Sequence, residues 1–153
     1  MTDSVFGQLQ FDYIWSKNEN RIFGGKSVNT VLLIAGDESG EFEKGQYEAY
    51  QFLEEKWEEL QGEILNSILE YYRKRREELG FGTGMNSLFP NITDTCQLLE
   101  HITLVGIKIQ YAEVYGGRSI GMMFDCTWDA ENGVGVRLCD EKVIKVGLQD
   151  VAI

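Results

Sequence analysis

The stretch YQFLEEKWEELQGEILNSILEYYRKRREELG, residues 50–80, decides the fold class because it is the one long helical pattern among strand-like runs. Its apolar residues recur at steps of three and four and so share one helix face: Tyr50, Leu53, Trp57, Leu60, Ile64, Ile68 and Tyr71. We predict a helix over residues 43–79 that ends at Gly80, with a break near Gly62 as an alternative. The basic run at 73–76 suits the C-terminal end of a helix dipole.

Strand-like runs precede this helix. The run VFGQLQF alternates, which predicts that Val5, Gly7, Leu9 and Phe11 share one face of a strand. The stretch SKNEN (16–20) has the composition of a turn, and it separates YIW from RIF. A β-branched run, VNTVLLIAG (28–36), predicts a further strand. Three strands joined by short turns indicate an antiparallel meander.

The chain returns to strand patterns after the helix. FGTGMNSLFPN (81–91) is predicted to be a loop, and Thr93 or Asp94 is placed to cap a short helix, TCQLLEH. Four strand-like runs follow: ITLVGIKIQY, SIGMMFDCTW, GVGVRLCD and KVIKVGLQD, the last two joined at Asp140-Glu141.

Runs of strands divided by one helical block indicate an α+β fold. We predict an antiparallel sheet, built from the N-terminal meander and the C-terminal strands, packed against one long helix and a short helix. The chain has 153 residues, which suits one domain over 1–153 that buries about 68–70% of its unfolded surface.

The net charge of −11 is spread along the chain. Residues 1–80 carry 16 acids and 9 bases, and residues 81–153 carry 9 acids and 5 bases. Phosphate backbones and anionic lipids are bound by basic faces, so we expect neither nucleic acid nor membrane as a partner. An acidic protein suits a basic protein partner, although acidity also serves solubility alone.

The three cysteines, Cys96, Cys126 and Cys139, form no CxxC pair and are odd in number, so we expect reduced and mostly buried thiols. The N-terminus lacks the basic and apolar regions of a signal peptide. No apolar run approaches the ~20 residues of a membrane helix. These features predict a cytoplasmic protein.

Two glycine motifs fail as nucleotide sites. GGKS (24–27) is similar to the end of a phosphate-binding loop, but Asn20 holds the place of the first glycine and a strand pattern follows. GVGVRL (133–138) has Leu138 in place of the third glycine of a dinucleotide fingerprint. A hairpin turn and a strand, respectively, explain them better, and we expect no cofactor.

Catalytic residues are few. His101 is the only histidine, so any histidine-based triad or zinc site would depend on it, and a structural role is commoner. A carboxylate pair such as Asp125 and Asp129 could serve an enzyme, with or without a divalent metal. That enzyme remains an alternative hypothesis.

Acids crowd FDCTWDAENGVGV, residues 124–136. Counted from Asp125, an EF-hand loop would need a glycine where Ala130 stands and a glutamate where Val136 stands, so we expect no metal. A hairpin explains the stretch better, with Gly133 at positive φ. Its two faces would carry Phe124, Cys126 and Trp128 on one side, and Asp125, Thr127 and Asp129 on the other. Trp128 is then either core packing or an exposed anchor for a partner.

The segment WDAENGVGV (128–136) resembles a C-terminal hairpin of the form W-D-x-E-x-G-x-G in uncharacterised bacterial proteins of the domain-of-unknown-function kind. The likeness covers about the last fifty residues, with a looser similarity from LLEHITLVGIKI onward. Some small acidic proteins of this kind are thought to act as immunity proteins against toxins. The resemblance implies a binding role and no catalytic residues.

We therefore expect a non-enzymatic, acidic α+β binding protein that occludes a basic toxin site. Two acidic sets are candidates for the contact: Glu54, Glu55, Glu58 and Glu59 on the helix, and Asp125, Asp129 and Glu131 at the hairpin, with Trp128 as anchor. A self-associating module with an exposed strand edge is a further alternative, and the oligomeric state is left open.

Overall fold

The computed structural model describes residues 1–81 and 86–153, so residues 82–85 of the predicted 81–91 loop lie outside the described part. Nine strands are present there: β1 Thr2–Asp3, β2 Gly7–Gln8, β3 Gln10–Asp12, β4 Ile14–Phe23, β5 Lys26–Ile34, β6 Ile102–Gln110, β7 Ser119–Cys126, β8 Val134–Cys139 and β9 Lys142–Gly147. The α-helices are α1 Lys44–Glu55, α2 Trp57–Glu78 and α3 Thr95–Leu98. Two 3₁₀ helices are η1 Ala112–Val114 and η2 Gln149–Ala152.

The α+β class is confirmed, and the sheet is mostly antiparallel. Strands β3 to β9 form one seven-stranded sheet in sequence order, while β1 and β2 form a separate small ribbon. The pair β5–β6 is parallel, with Val31 opposite Gly106. The expectation of a purely antiparallel sheet is wrong at this pair, because all three α-helices lie in the crossover between these two strands.

The predicted turn at SKNEN is also wrong. Strand β4 runs unbroken from Ile14 to Phe23, and residues 15–23 pair with β5 along their whole length. The polar composition is tolerated because the charged residues pair with one another: Arg21 Nε donates to Glu19 Oε1 at 2.6 Å, and Lys17 Nζ lies 3.7 Å from Glu19 Oε2. Asn18 and Asn20 are exposed.

The N-terminal run VFGQLQF is not the alternating strand that its pattern predicts. Gly7 has φ of 84° and interrupts it, so that Phe6 and Leu9 are buried while Phe11 is exposed. The ring of Phe6 packs 5.1 Å from that of Tyr47 on α1. Packing against the helix therefore replaced the period-two pattern.

The predicted long helix is two helices, and the break is at Lys56 rather than Gly62. Lys56 has φ of −110° and ψ of 16°, and its N–H still bonds the carbonyl of Phe52. The next residue, Trp57, donates from Nε1 to the Ile22 carbonyl at 2.9 Å. This contact with the β4–β5 hairpin lies beside the break. The predicted C-terminal features are confirmed, since Arg75 and Arg76 lie in the last turn and Gly80 has φ of 83°.

The helices cover one face of the sheet and enclose a continuous core. Side chains from every long strand contribute, including Leu32, Ile107, Met122 and Val136, all fully buried. On β6 the register shifts between Leu104 and Gly106, which keeps both Leu104 and Ile107 on the helix side. Of the predicted apolar helix face, Trp57 and Tyr71 are only half-buried, and the other five residues are buried.

Three glycines make room for the C-terminal segment on the opposite face of β7, β8 and β9. A Cβ on Gly121 would lie 1.9 Å from the Ala152 carbonyl oxygen, and one on Gly135 would lie 2.5 Å from that of Leu148. Gly147 stands opposite Gly135 in the ladder. The segment is fixed by Arg137 Nε, which donates to the Val151 carbonyl at 3.1 Å.

The predicted tight turns are confirmed. Gly24 and Gly25, with φ of 60° and 80°, join β4 to β5, and Asp140 and Glu141, with φ of 46° and 68°, join β8 to β9. Positive φ at both central residues is typical of the hairpin turn that matches strand twist. Asp94 caps α3 by accepting from the Gln97 N–H at 2.8 Å. In the described part of the chain, neither α1 nor α2 has the length and apolarity needed to cross a bilayer.

We expect opposite effects from alanine at two glycines. Gly121→Ala should lower the free energy of unfolding by at least ~2 kcal/mol, because its Cβ meets backbone that must move. Gly62→Ala, in open space on α2, should raise that free energy by ~0.5–1 kcal/mol. Urea denaturation measures the free energy of unfolding of both variants. Equal effects of the two substitutions would contradict the close packing of the C-terminal segment on Gly121.

Candidate functional site

The acidic stretch 124–136 is a hairpin between β7 and β8, and Trp128 belongs to the core. The exposures largely follow the predicted faces: Phe124, Cys126 and Trp128 are buried, Asp125 and Thr127 are exposed, and Asp129 is half-buried. Trp128 is 5% exposed, and the centre of its ring lies 4.5 Å from that of Tyr72 on α2. Of the two alternatives for Trp128, core packing is therefore the one found, and the exposed anchor is wrong, because α2 covers the indole.

The acids of this hairpin organise its loop. Asp129 Oδ1 accepts from the Asn132 N–H at 3.1 Å, and the Asp129 carbonyl accepts from the Gly133 N–H at 2.9 Å. Gly133 has φ of 57°, as predicted. Asp125 accepts from Gln149 Nε2 at 3.2 Å, which ties the loop to the C-terminal segment. Glu131 is exposed at the loop tip.

His101 joins two strands through hydrogen bonds to Thr127. His101 Nδ1 lies 2.9 Å from Thr127 Oγ1, and the His101 carbonyl accepts from the Thr127 N–H at 2.9 Å. These bonds hold the start of β6 against the end of β7. Within residues 1–81 and 86–153, no three His, Cys, Asp or Glu side chains are grouped so as to hold a metal ion.

A cleft of about 550 Å³ lies between the β4–β5 hairpin and the junction of α1 with α2. Its walls come from Asn20, Arg21, Ile22 and Gly25 on the hairpin and from Glu54, Trp57, Glu58 and Gln61 on the helices. A second cleft of about 380 Å³ adjoins it and is lined by Glu54, Glu55, Trp57, Glu58 and Glu59. We call the two together the junction cleft.

Arg21 forms the floor of the junction cleft. Its guanidinium donates to the carboxylates of Glu19 and Glu54, and its Cζ lies 4.8 Å from the centre of the Trp57 ring. Burial by itself would lower the pKa of Arg21, but the charges and hydrogen bonds of Glu19 and Glu54 outweigh it and raise the pKa. Arg21 is therefore a permanent, neutralised cation that joins β4 to α1.

Two side chains of α2 close the end of the hairpin. Trp57 Nε1 and Gln61 Nε2 both donate to the Ile22 carbonyl, at 2.9 and 3.2 Å, and Gln61 Oε1 accepts from the Gly24 N–H at 2.9 Å. The Ile22 side chain is 63% exposed beside them. The cleft thus combines an exposed aliphatic group with a half-buried indole.

The break at Lys56 brings the predicted helix acids together. Glu54 and Glu55 end α1, Glu58 and Glu59 lie in the first turn of α2, and all four are exposed around Trp57. Acids in a first turn also favour the helix dipole, which is their purely structural role. The field is negative nearby: burial first, and then the charges of Glu54 and Glu19, raise the pKa of Tyr50 to about 12.

The structure separates the two predicted acidic sets. The helix set surrounds Trp57 at the start of α2, whereas the hairpin set lies beside Trp128, which packs on Tyr72. Fifteen residues of helix separate these positions, which is roughly 20 Å at 1.5 Å per residue. A single small contact therefore does not use both sets.

The hairpin wall of the junction cleft is not among the predicted site residues. The sequence pattern predicts a turn and a short strand for Asn20, Arg21 and Ile22, and a core position for Trp57. The alternation of Lys17, Glu19 and Arg21 is the available signal, because opposite charges two apart along a strand lie on one face and can pair.

The fold and the cleft define an α+β domain with an acidic groove at a helix junction. The chain belongs to the family described as Domain of unknown function (DUF6985), whose model matches residues 5–153. The match extends far beyond the C-terminal hairpin that carried the sequence resemblance, and it places the protein among uncharacterised domains. No curated protein and no solved structure matches the chain.

We expect Trp128→Ala to lower the free energy of unfolding by ~3–5 kcal/mol, because it leaves a cavity against Tyr72. Glu131→Ala, on the exposed loop tip of the same hairpin, should change it by less than ~0.5 kcal/mol. Urea denaturation of both variants checks this. A loss below ~1 kcal/mol for Trp128→Ala would mean that the indole is not core.

The cysteines differ in exposure: Cys96 is exposed, Cys139 is intermediate and Cys126 is buried, so the expectation of mostly buried thiols holds only for Cys126. Burial raises the pKa of Cys126 to about 11, although hydrogen bonds from its own loop oppose this. Since the thiolate is the reactive form, we expect a disulfide reagent at pH 8 to modify Cys96 at least ~10-fold faster than Cys126. Peptide mass mapping gives the rates, urea-unfolded protein is the control, and equal rates in the folded protein would contradict the burial.

Proposed function

We propose that this chain is a non-enzymatic, acidic binding protein that captures a basic surface of another protein in the junction cleft. The observation that supports this is the convergence of Glu54, Glu55, Glu58 and Glu59 on a half-buried tryptophan, Trp57. Protein interfaces favour this arrangement, with an aromatic centre and a polar rim.

The charges of the cleft suit a cationic partner. Glu19 and Glu54 neutralise Arg21, which leaves Glu55 and Glu58 without a counter-ion among the described ion pairs, while Glu59 has only Lys56 at 3.7 Å. Exposed carboxylates of this kind accelerate encounter with a basic surface, and salt screens the effect.

An immunity-like role is the form of this function that we favour. In it, the protein stays in the cytoplasm and occludes the basic active site of a toxin. The support is the acidic net charge and the resemblance of the WDAENGVGV hairpin to immunity-like proteins. A neighbouring gene for a large secreted multidomain protein would support the role, and native lysate should then yield that protein as the captured partner.

A matched pair of triple variants tests the junction cleft. Glu55→Gln, Glu58→Gln and Glu59→Gln together remove three charges at the cleft, while Glu63→Gln, Glu70→Gln and Glu77→Gln remove three from exposed positions elsewhere on α2. We expect the first triple to weaken capture of the native partner by at least ~10-fold at low salt, and the second by less than ~3-fold. Binding is measured at two salt concentrations.

Equal weakening by the two triples would mean that only net charge matters and that the cleft is not the binding site. Glu54 is left unchanged in both because it pairs with the buried Arg21. Urea denaturation of both triples confirms that they are folded.

A further inference from the structure

We propose that the open edge of β4 receives an extended basic segment of the partner as an added β-strand. This deepens the proposed function, on which it rests for the charge of the partner. It assigns a mode of binding to the wall of the junction cleft formed by Asn20, Arg21 and Ile22.

Most of one side of β4 is unpaired. β3 pairs only with Ile14–Ser16, whereas β4 continues to Phe23. In the described part of the chain, no other strand lies on that side. The open length therefore begins at Lys17.

The direction of the backbone groups follows from the tight turn. Phe23 and Lys26 flank the two-residue loop Gly24–Gly25, so they form a hydrogen-bonded pair. The backbone N–H and C=O groups of the preceding residue, Ile22, therefore point away from β5. The bonds from Trp57 and Gln61 to the Ile22 carbonyl agree with this direction. Alternation along the strand then directs the N–H and C=O groups of Asn18 and Asn20 outward as well.

The open edge of β4 is bounded at both ends by backbone groups that already have hydrogen-bond partners, and a cleft adjoins each end. Gln61 and Trp57 already occupy the Ile22 carbonyl, and β3 occupies the outward groups up to Ser16. Between these ends, five residues, 17–21, extend over roughly 16 Å at ~3.3 Å per residue. The junction cleft adjoins one end, and a cleft of about 330 Å³ lined by Ser16, Lys17 and Asn18 adjoins the other.

The two edges of the sheet differ in protection. Edge strands are commonly guarded by lysine, proline or bulges. The opposite edge, β9, carries the exposed Lys142 and Lys145 and a register shift against β8. On the open length of β4 the exposed residues are Asn18, Asn20 and Ile22, which are uncharged. Its charged residues, Lys17, Glu19 and Arg21, are held in ion pairs with one another and with Glu54.

Charge selects the occupant. Alternate side chains of an added strand would point to the helix side, where Glu54 and Glu58 line the cleft. A second copy pairing through its own β4 would place its Glu54 and Glu58 near these carboxylates, and like charges repel. A basic extended segment of another protein fits instead, and strand addition to a sheet edge is an established mode of peptide recognition.

The probe for the test is a ten-residue peptide of alternating lysine and valine, labelled for fluorescence anisotropy and used at low salt with the full chain. Two further peptides carry N-methyl groups either on every lysine nitrogen or on every valine nitrogen. All three have the same charge, but each N-methyl series removes the donors from one edge of the strand. Because only one edge of the added strand faces β4, we expect one series to lose at least ~10-fold in affinity and the other to bind within ~3-fold.

Two variants of the protein match the peptides. Asn20→Pro removes an outward N–H without touching the ladder to β5, and proline is tolerated on edge strands. Asn20→Ala keeps that N–H. We expect Asn20→Pro to weaken the unmodified peptide by ~10-fold and Asn20→Ala by less than ~2-fold. In the wild-type protein the amide protons of Asn18 and Asn20 should exchange more slowly when the peptide is bound, which tests the inference without any variant.

The outcomes separate this inference from the proposed function. Equal binding of both N-methyl series, unchanged exchange at Asn18 and Asn20, or no binding of any peptide would overturn strand addition, while the cleft triple still tests capture of the native partner. If the edge is selective but the triple Glu55→Gln, Glu58→Gln and Glu59→Gln leaves peptide affinity unchanged, the acidic cleft loses its role and the basic occupant is overturned with it. Protection of both amides in a dimer without peptide would assign the edge to a second copy and overturn the proposal.

Discussion

The pairing of the buried Arg21 with Glu19 and with the exposed Glu54 is the constraint around which this end of the molecule is arranged. The Arg21 side chain is 7% exposed and must be paired, because an unpaired buried charge is strongly destabilising. Glu19 supplies one partner from the same strand and Glu54 the other from α1. The pairing keeps a polar stretch extended, holds α1 against β4 and places Trp57 over the guanidinium, so the junction cleft follows from it.

The two faces of the sheet are covered by different segments, and its two edges carry different side chains. The helices cover one face, and the C-terminal segment covers the β7–β9 part of the other, where Gly121 and Gly135 leave room for its backbone. Exposed lysines mark the β9 edge, whereas Trp57 and Gln61 cap only the last outward carbonyl of β4. The open edge and the acidic cleft therefore meet at one place, which is the basis for treating them as one binding surface.

Local rules predicted the parts of the fold that depend on local sequence. Features that could be predicted in this way are the turns at Gly24–Gly25 and Asp140–Glu141, the cap at Asp94, the end of α2 at Gly80 and the two faces of the 124–133 hairpin. The failures lie where distant contacts override composition: SKNEN is strand because Arg21 is paired with α1, and the helix breaks at Lys56 beside the Trp57 contact with Ile22. Neither partner is near in sequence, so no local pattern could show them.

The sequence by itself determined the α+β class, the acidic character and the four glutamates on either side of Lys56. Periodicity, turn residues and charge are properties of short segments, so they can be identified without knowing which distant segments pair. Tertiary structure alone decided that β5 and β6 pair in parallel, that Trp128 is covered by Tyr72, and that the four glutamates surround Trp57. It also decided that β4 is open on one side beyond Ser16, because strand order depends on which distant segments pair, and hydrophobic patterns do not specify that choice.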